Sequence, residues 1–168
     1  MTLTELRCWV YGDNVNTDVI FPGRFTYTLT KPEDIAAHAL EDLDPAFAAN
    51  VRPGDVIVAG SNWGCGSSRE QGVTAVKYAG VRVIIAGSFS RIYFRNCINQ
   101  GVLPIVCPAL HELVTTGDVI GLDLGSGLIV AHGQTFTIPR LSPSVQAILD
   151  AGGLLPMLQR RFKGEDQV

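Results

Sequence analysis

Three glycines and three serines surround one tryptophan in GSNWGCGSSREQ, Gly60 to Gln71, and the run closes on Gly66-Ser67-Ser68-Arg69. A guanidinium presents two parallel N–H donors to one carboxylate, and a neighbouring serine oxygen can exchange a proton at bonding distance. The apolar DVIVA before the run reads as a buried strand, and the residues after it read as a helix. At such a junction, unpaired backbone N–H groups and the helix dipole favour an anion. A nucleotide P-loop needs Gly-Lys-Ser/Thr, whereas this chain has Ser67-Ser68-Arg69 after Gly66. A dinucleotide fingerprint starting at Gly64 needs a third glycine where Arg69 stands, and neither serine has the flanking glycines of a nucleophile elbow. A carboxylate site is left. It stands against a plainer reading, in which the serines only cap a helix and the glycines only turn the chain.

The rest of the chain excludes several classes. The formal charge of -3 and the scattered Lys and Arg residues give no basic field for nucleic acid. No apolar run approaches the ~20 residues of a membrane span, and MTLTELRCWVYGD lacks the features of a signal peptide, so a cytoplasmic protein is expected. Cys8, Cys65, Cys97 and Cys107 form no CxxC pair, and His38, His111 and His132 are isolated. Reduced thiols and no metal held by this chain are expected.

The elements that must position the turn alternate. A strand over Leu6 to Tyr11 is followed by the turn-forming GDNVNTD. Thr30, with Glu33 three residues on, predicts a capping box for a helix through KPEDIAAHALEDL, and Pro45 predicts the first position of a second short helix. Val56 to Ala59 reads as a strand. Ser67 and Ser68, with Glu70 and Gln71 three positions beyond each, predict overlapping capping boxes for a helix reaching Ala79. VRVIIA, SFSRIYFRNCINQ and LPIVC then read as strand, helix and strand, a repeat that implies parallel pairing. From Asp118, short strands separated by GSG and GQ predict antiparallel hairpins. Ser142 caps a further helix, and FKGEDQV reads as a frayed tail. With 168 residues this is one domain, its core over about 6–140 and its C-terminal helices and polar tail over 142–168.

The turn and the following AVKYAGVRVIIAGSFSRIYFRNCINQGVLPI, with GDNVNTDVIFPGRF and HALEDLDPAFAANVRPGDVIVAG upstream, closely resemble the aconitase superfamily. The resemblance is to its swivelling domain, as found in aconitases, homoaconitases and the small subunits of 3-isopropylmalate dehydratases, and it runs from about Tyr11 to Ile105. It implies an α/β fold of three β/β/α layers, a mostly parallel core sheet with appended antiparallel hairpins. It also implies a heteromeric hydro-lyase acting on a hydroxy di- or tricarboxylic acid. In that arrangement a larger partner subunit carries a [4Fe–4S] cluster and this chain binds no cofactor; self-association is expected when the chain is isolated.

Residue by residue, the resemblance implies Ser67 as the base that removes a proton next to a carboxylate, with Ser68 and Arg69 binding that carboxylate. Gly64, Cys65 and Gly66 form the anion turn, and Arg24 is a candidate for a second carboxylate. Phe25, Thr26, Tyr27 and Thr28 align with the substrate-selecting loop, with Tyr27 at the selecting position. Asp13, Asn16, Thr17 and Asp18 are expected to shape the loop carrying Arg24. Asn62 is expected to bond within the turn, Trp63 to pack over it, and Glu70 and Gln71 to cap the helix. Arg91 and Arg95 share a helix face that could meet the large subunit, although a solvated face is the plainer reading. The candidate substrates are those of 3-isopropylmalate dehydratase, homoaconitase and dimethylmalate-type dehydratases. A non-catalytic carboxylate-binding assembly module is the competitor from another class.

Overall fold

The computed structural model describes residues 4–163. Seven strands form one sheet in the order β4-β3-β2-β1-β5-β6-β7. Strands β1 (Thr4–Tyr11), β2 (Val56–Ala59), β3 (Val83–Ala86) and β4 (Leu103–Val106) run parallel, in a register that lines up Val10, Val58, Ile85 and Ile105. The short continuous apolar runs of β2, β3 and β4 suit strands covered on both faces. Strands β5 (Val119–Asp123), β6 (Leu128–Ala131) and β7 (Gln134–Thr137) are antiparallel and join the parallel half through the pairing of β1 with β5. The hairpins therefore continue the core sheet rather than sitting beside it.

Alternation along the strands splits the core in two. Ile57, Ala59, Ile84 and Ala86 point to a helical layer that contributes Ile35, Val73, Val76, Tyr93 and Cys97. Val56, Val58, Ile85 and Ile105 point the other way and meet Ile120, Leu122, Ile129 and Ala131 from the antiparallel half. The sheet thus curls so that its two halves share an interior, which gives the expected β/β/α layering.

The helices are α1 (Thr17–Ile20), α2 (Pro32–Ala37), α3 (Phe47–Asn50), α4 (Gln71–Tyr78), α5 (Arg91–Gln100), α6 (Pro108–His111), α7 (Pro143–Asp150) and α8 (Leu154–Phe162). Helix α5 starts at Arg91, inside the predicted SFSRIYFRNCINQ: the Ser90 hydroxyl accepts from the Tyr93 amide, and Gly101 takes the left-handed cap at φ 76°. Ser142 likewise caps α7.

Several local expectations are corrected. Helix α2 starts after Lys31 with no side-chain cap, so Thr30 and Glu33 form no capping box. It also stops at Ala37, because buried Leu40 adopts φ 57° and gives its amide to the Ile20 carbonyl at 2.8 Å, leaving Leu43 exposed. Pro45 lies before α3 in a turn where Asp44 accepts from the amides of Ala46 and Phe47. Helix α4 begins after Glu70 with no side-chain cap, so neither Ser67 nor Ser68 serves as one. At the C-terminus Phe162 is still helical, and residues 164–168 of the predicted tail lie outside the described residues.

Candidate functional site

The turns that leave β1, β2 and β3 at their C-terminal ends are bonded to one another. The Gly60 amide donates to the Tyr11 carbonyl at 3.1 Å, the Gly87 amide to Ala59 at 3.0 Å and the Trp63 amide to Ser88 at 3.0 Å. Open parallel sheets present ligand sites at this edge. Trp63 is fully buried, stacks on Tyr11 and meets Tyr93 edge to face, anchoring the turn from beneath. Asn62 bonds outside the turn, to Asn14 at 2.9 Å, where bonding within it was expected. Two glycines are required by space and conformation together. A Cβ on Gly64 (φ 73°) would stand 2.1 Å from the Tyr93 ring, and one on Gly66 (φ 98°) 2.5 Å from Asn16 Oδ1.

The segment from Val15 to Asp18 lies along this turn. The Gly64 amide donates to the Val15 carbonyl at 2.9 Å and the Thr17 amide to the Cys65 carbonyl at 2.8 Å. The Gly64 N–H is therefore spent within the protein and is no donor to an anion, which corrects that part of the anion turn. Asn16 caps α1 by accepting from the Asp18 amide at 2.8 Å, and this fixes Thr17 and Asp18 beside Ser67.

Ser67 is the hub. Its Oγ lies 2.9 Å from the Thr17 hydroxyl and accepts from Arg69 Nε at 3.0 Å, while its amide donates to Thr17 Oγ1 at 3.0 Å. Thr17 is 2% exposed, so its hydroxyl is aimed by packing. Arg69 Nη1 donates to Thr26 Oγ1 at 2.8 Å, and Nη2 forms an ion pair with Asp18. Gly23 lets the chain pass this close: a Cβ there would meet Arg69 Nη1 at 2.9 Å. The Asp18 side chain is 58% exposed, and exposed pairs are worth about 0–1 kcal/mol, so a bidentate substrate carboxylate can displace it. Ser68 is exposed beside them.

The other predicted residues disperse. Arg24 is drawn away by two carboxylates, donating to Asp42 at 2.9 and 3.0 Å and pairing with Glu41, with its guanidinium 4.7 Å from the Phe25 ring centroid. Phe25 packs in turn on His38, whose ring bonds to Glu41. The His38 bond, with Arg24, holds the Glu41 carboxyl below its ordinary range, and Arg24 does the same for Asp42. Arg24 is thus paired with the turn that follows α2, through a guanidinium that is half exposed. Tyr27 projects from the loop at 95% exposure, and Thr28 Oγ1 donates to the Phe25 carbonyl at 3.3 Å. Glu70 accepts from Gln100 at 3.2 Å rather than capping α4, and Arg91 and Arg95 are exposed. Thr17 and Asp18 were expected only to shape a loop. Their direct contacts span about fifty residues, and no local pattern announces them.

Cluster chemistry has no home among these residues. Among the described residues no three His, Cys, Asp or Glu side chains converge on a metal position. Burial pushes the Cys8 thiol up to about 12 and the Cys97 thiol well above its ordinary value, whereas metal ligation needs thiolate.

Residues 33–110 match the aconitase C-terminal domain. The chain is 45% identical over 157 residues to a 3-isopropylmalate dehydratase small subunit of Heliobacterium modesticaldum, covering 92% of this chain and 94% of that one. It is 45% identical over 147 residues to a 2,3-dimethylmalate dehydratase small subunit of Eubacterium barkeri, covering 86% and 90%. A crystal structure of 3-isopropylmalate dehydratase from Methanocaldococcus jannaschii superposes with a TM-score of 0.89 at 40% identity, covering 98% of both chains. These likenesses span nearly the whole chain, and the chain belongs to the 3-isopropylmalate dehydratase small-subunit family, built on the aconitase C-terminal domain.

Proposed function

We propose that this chain is the proton-transferring half of a heteromeric hydro-lyase that interconverts 2-isopropylmalate and 3-isopropylmalate by dehydration and rehydration, a step of leucine biosynthesis. Ser67 takes the proton from the carbon next to a carboxylate held by Arg69 and Ser68. A serine alkoxide is unfavourable at neutral pH, so the site must stabilise it. Once Ser67 loses its proton, Thr17 can only donate to it, and the alkoxide then faces the Thr17 O–H and the Arg69 Nε–H. That pair of donors on an oxygen free of any capping duty is the observation that carries the reading, and it favours an enzyme over a passive carboxylate-binding module. The large subunit carries the [4Fe–4S] cluster, whose iron supplies Lewis acidity at the substrate hydroxyl and carboxylate. The setting is cytoplasmic, in keeping with four free cysteines.

With Arg24 paired to Asp42 and Glu41 and Tyr27 at the loop tip, Arg69 is the guanidinium that contacts Ser67. This supports a malate with an apolar substituent over the tricarboxylates of a homoaconitase. Reconstitution with the large subunit under anaerobic conditions, assayed on 2-isopropylmalate, 2,3-dimethylmalate, citraconate and homoaconitate, tests the assignment. Turnover is expected on 2-isopropylmalate, and Ser67→Ala is expected to remove at least about 100-fold of it with assembly intact. Retained activity in that variant would overturn the role of Ser67.

A further inference from the structure

Helix α5 backs the catalytic turn with one stripe of donors. Ser90, Tyr93, Asn96 and Gln100 recur at three- and four-residue spacing and so share a face. Ser90 Oγ donates to the Gly64 carbonyl at 2.7 Å and the Tyr93 hydroxyl to the Gly72 carbonyl at 2.9 Å, while Gln100 reaches the Glu70 carboxylate. These three hold the flanks of the turn. Asn96 is placed differently, because its Nδ2 donates to the Ser68 carbonyl at 3.1 Å.

The Ser68 carbonyl and the Arg69 amide belong to one planar trans peptide, so they point in opposite directions and turn together. A donor that pulls the carbonyl toward α5 turns the Arg69 N–H toward Ser67, whose Oγ lies 3.5 Å from that nitrogen. The same peptide sets the exit direction of the Arg69 side chain, whose Nε donates to Ser67 Oγ. A donor on the carbonyl also polarises the amide, strengthening what its N–H offers in turn. We infer that Asn96 is a positioning residue for Ser67: through the Ser68–Arg69 peptide it aims an N–H and a guanidinium at the oxygen that carries the proton. The inference rests on the role of Ser67 proposed above and extends it to helix α5.

Asn96→Asp and Asn96→Ala separate this role from mere packing. Aspartate fills the same space but sets a carboxylate oxygen against the Ser68 carbonyl, whereas alanine removes the side chain. In the reconstituted complex, kcat is expected to fall about tenfold in Asn96→Ala and further in Asn96→Asp, with KM within about twofold. A space-filling role would reverse the order of the two variants. In the isolated chain, the Arg69 amide proton resonance should move to lower frequency in both variants as its bond to Ser67 Oγ lengthens. An unmoved Arg69 amide, or full turnover in Asn96→Asp alongside a loss in Asn96→Ala, overturns the inference. If the wild-type complex turned over none of the acids tested, the proposed function would fall, and the amide resonance would still decide whether Asn96 sets this peptide.

Discussion

Thr17 and Arg69 both touch Ser67 Oγ, but they separate in what else they do. The Thr17 hydroxyl is buried and faces only this chain, whereas Arg69 also presents Nη1 and Nη2 toward Thr26 and Asp18, where a carboxylate can replace them. Thr17→Val keeps the shape of the buried side chain and deletes its donor, so steady-state kinetics should show kcat down by roughly 10- to 100-fold with KM little changed. Arg69→Lys removes the planar fork together with the Nε contact, so it should raise KM and lower kcat together. If Thr17→Val raised KM alone, the hydroxyl would be serving substrate binding instead of the alkoxide. The meeting of the Ser67 hydroxyl with the Arg69 guanidinium was legible because the two residues are two apart in sequence. The fate of Arg24 was not, since its carboxylate partners lie 17 and 18 residues away on a turn whose shape depends on the left-handed Leu40.

At the scale of elements, the turn is only as fixed as the strand that delivers it. Asp55 opens β2 and is 5% exposed, accepting from Arg7 Nε and Nη2 at 3.1 and 2.5 Å, from Trp9 Nε1 at 2.9 Å and from the Arg52 amide at 2.9 Å. Burial alone would raise its carboxyl, but the Arg7, Trp9 and Arg52 donors outweigh it and hold the group below its ordinary 3.8. A carboxylate depressed in the folded state contributes stability above its unfolded pKa and loses it as pH falls through the folded one. Asp55→Asn should therefore cost about 2 kcal/mol at pH 7, and below about pH 4 the gap to wild type should narrow. Urea midpoints at pH 7 and pH 3 check both; a constant gap would remove the ion pair from the explanation. Strands β2 and β4 were legible as short apolar runs between turn residues, and the end of α5 was legible because its glycine cap is local. The start of α4 was misplaced because Ser67 fits a capping box by spacing, yet a tertiary contact to Thr17 claims its hydroxyl. Helices α1 and α6, four residues each, are too short for periodicity to register.

At the scale of the molecule, the curled sheet separates two interiors. The one beneath α4 and α5 contains Trp63 and Tyr93, which touch the turn; the other lies between the sheet halves and contains Ile120 and Ile129, which do not. If Ser67 acts as proposed, substitutions in the second interior should change stability without changing turnover. Ile129→Ala, at a fully buried position of the second interior, should lower stability by about 2–5 kcal/mol, while the protein that remains folded assembles with kcat unchanged. A change in kcat at saturating large subunit would show that the layers are coupled. For protein engineering the consequence is practical. A heat-tolerant version of this subunit is best sought by redesigning the β5–β7 layer, whose buried side chains lie away from the Ser67 turn.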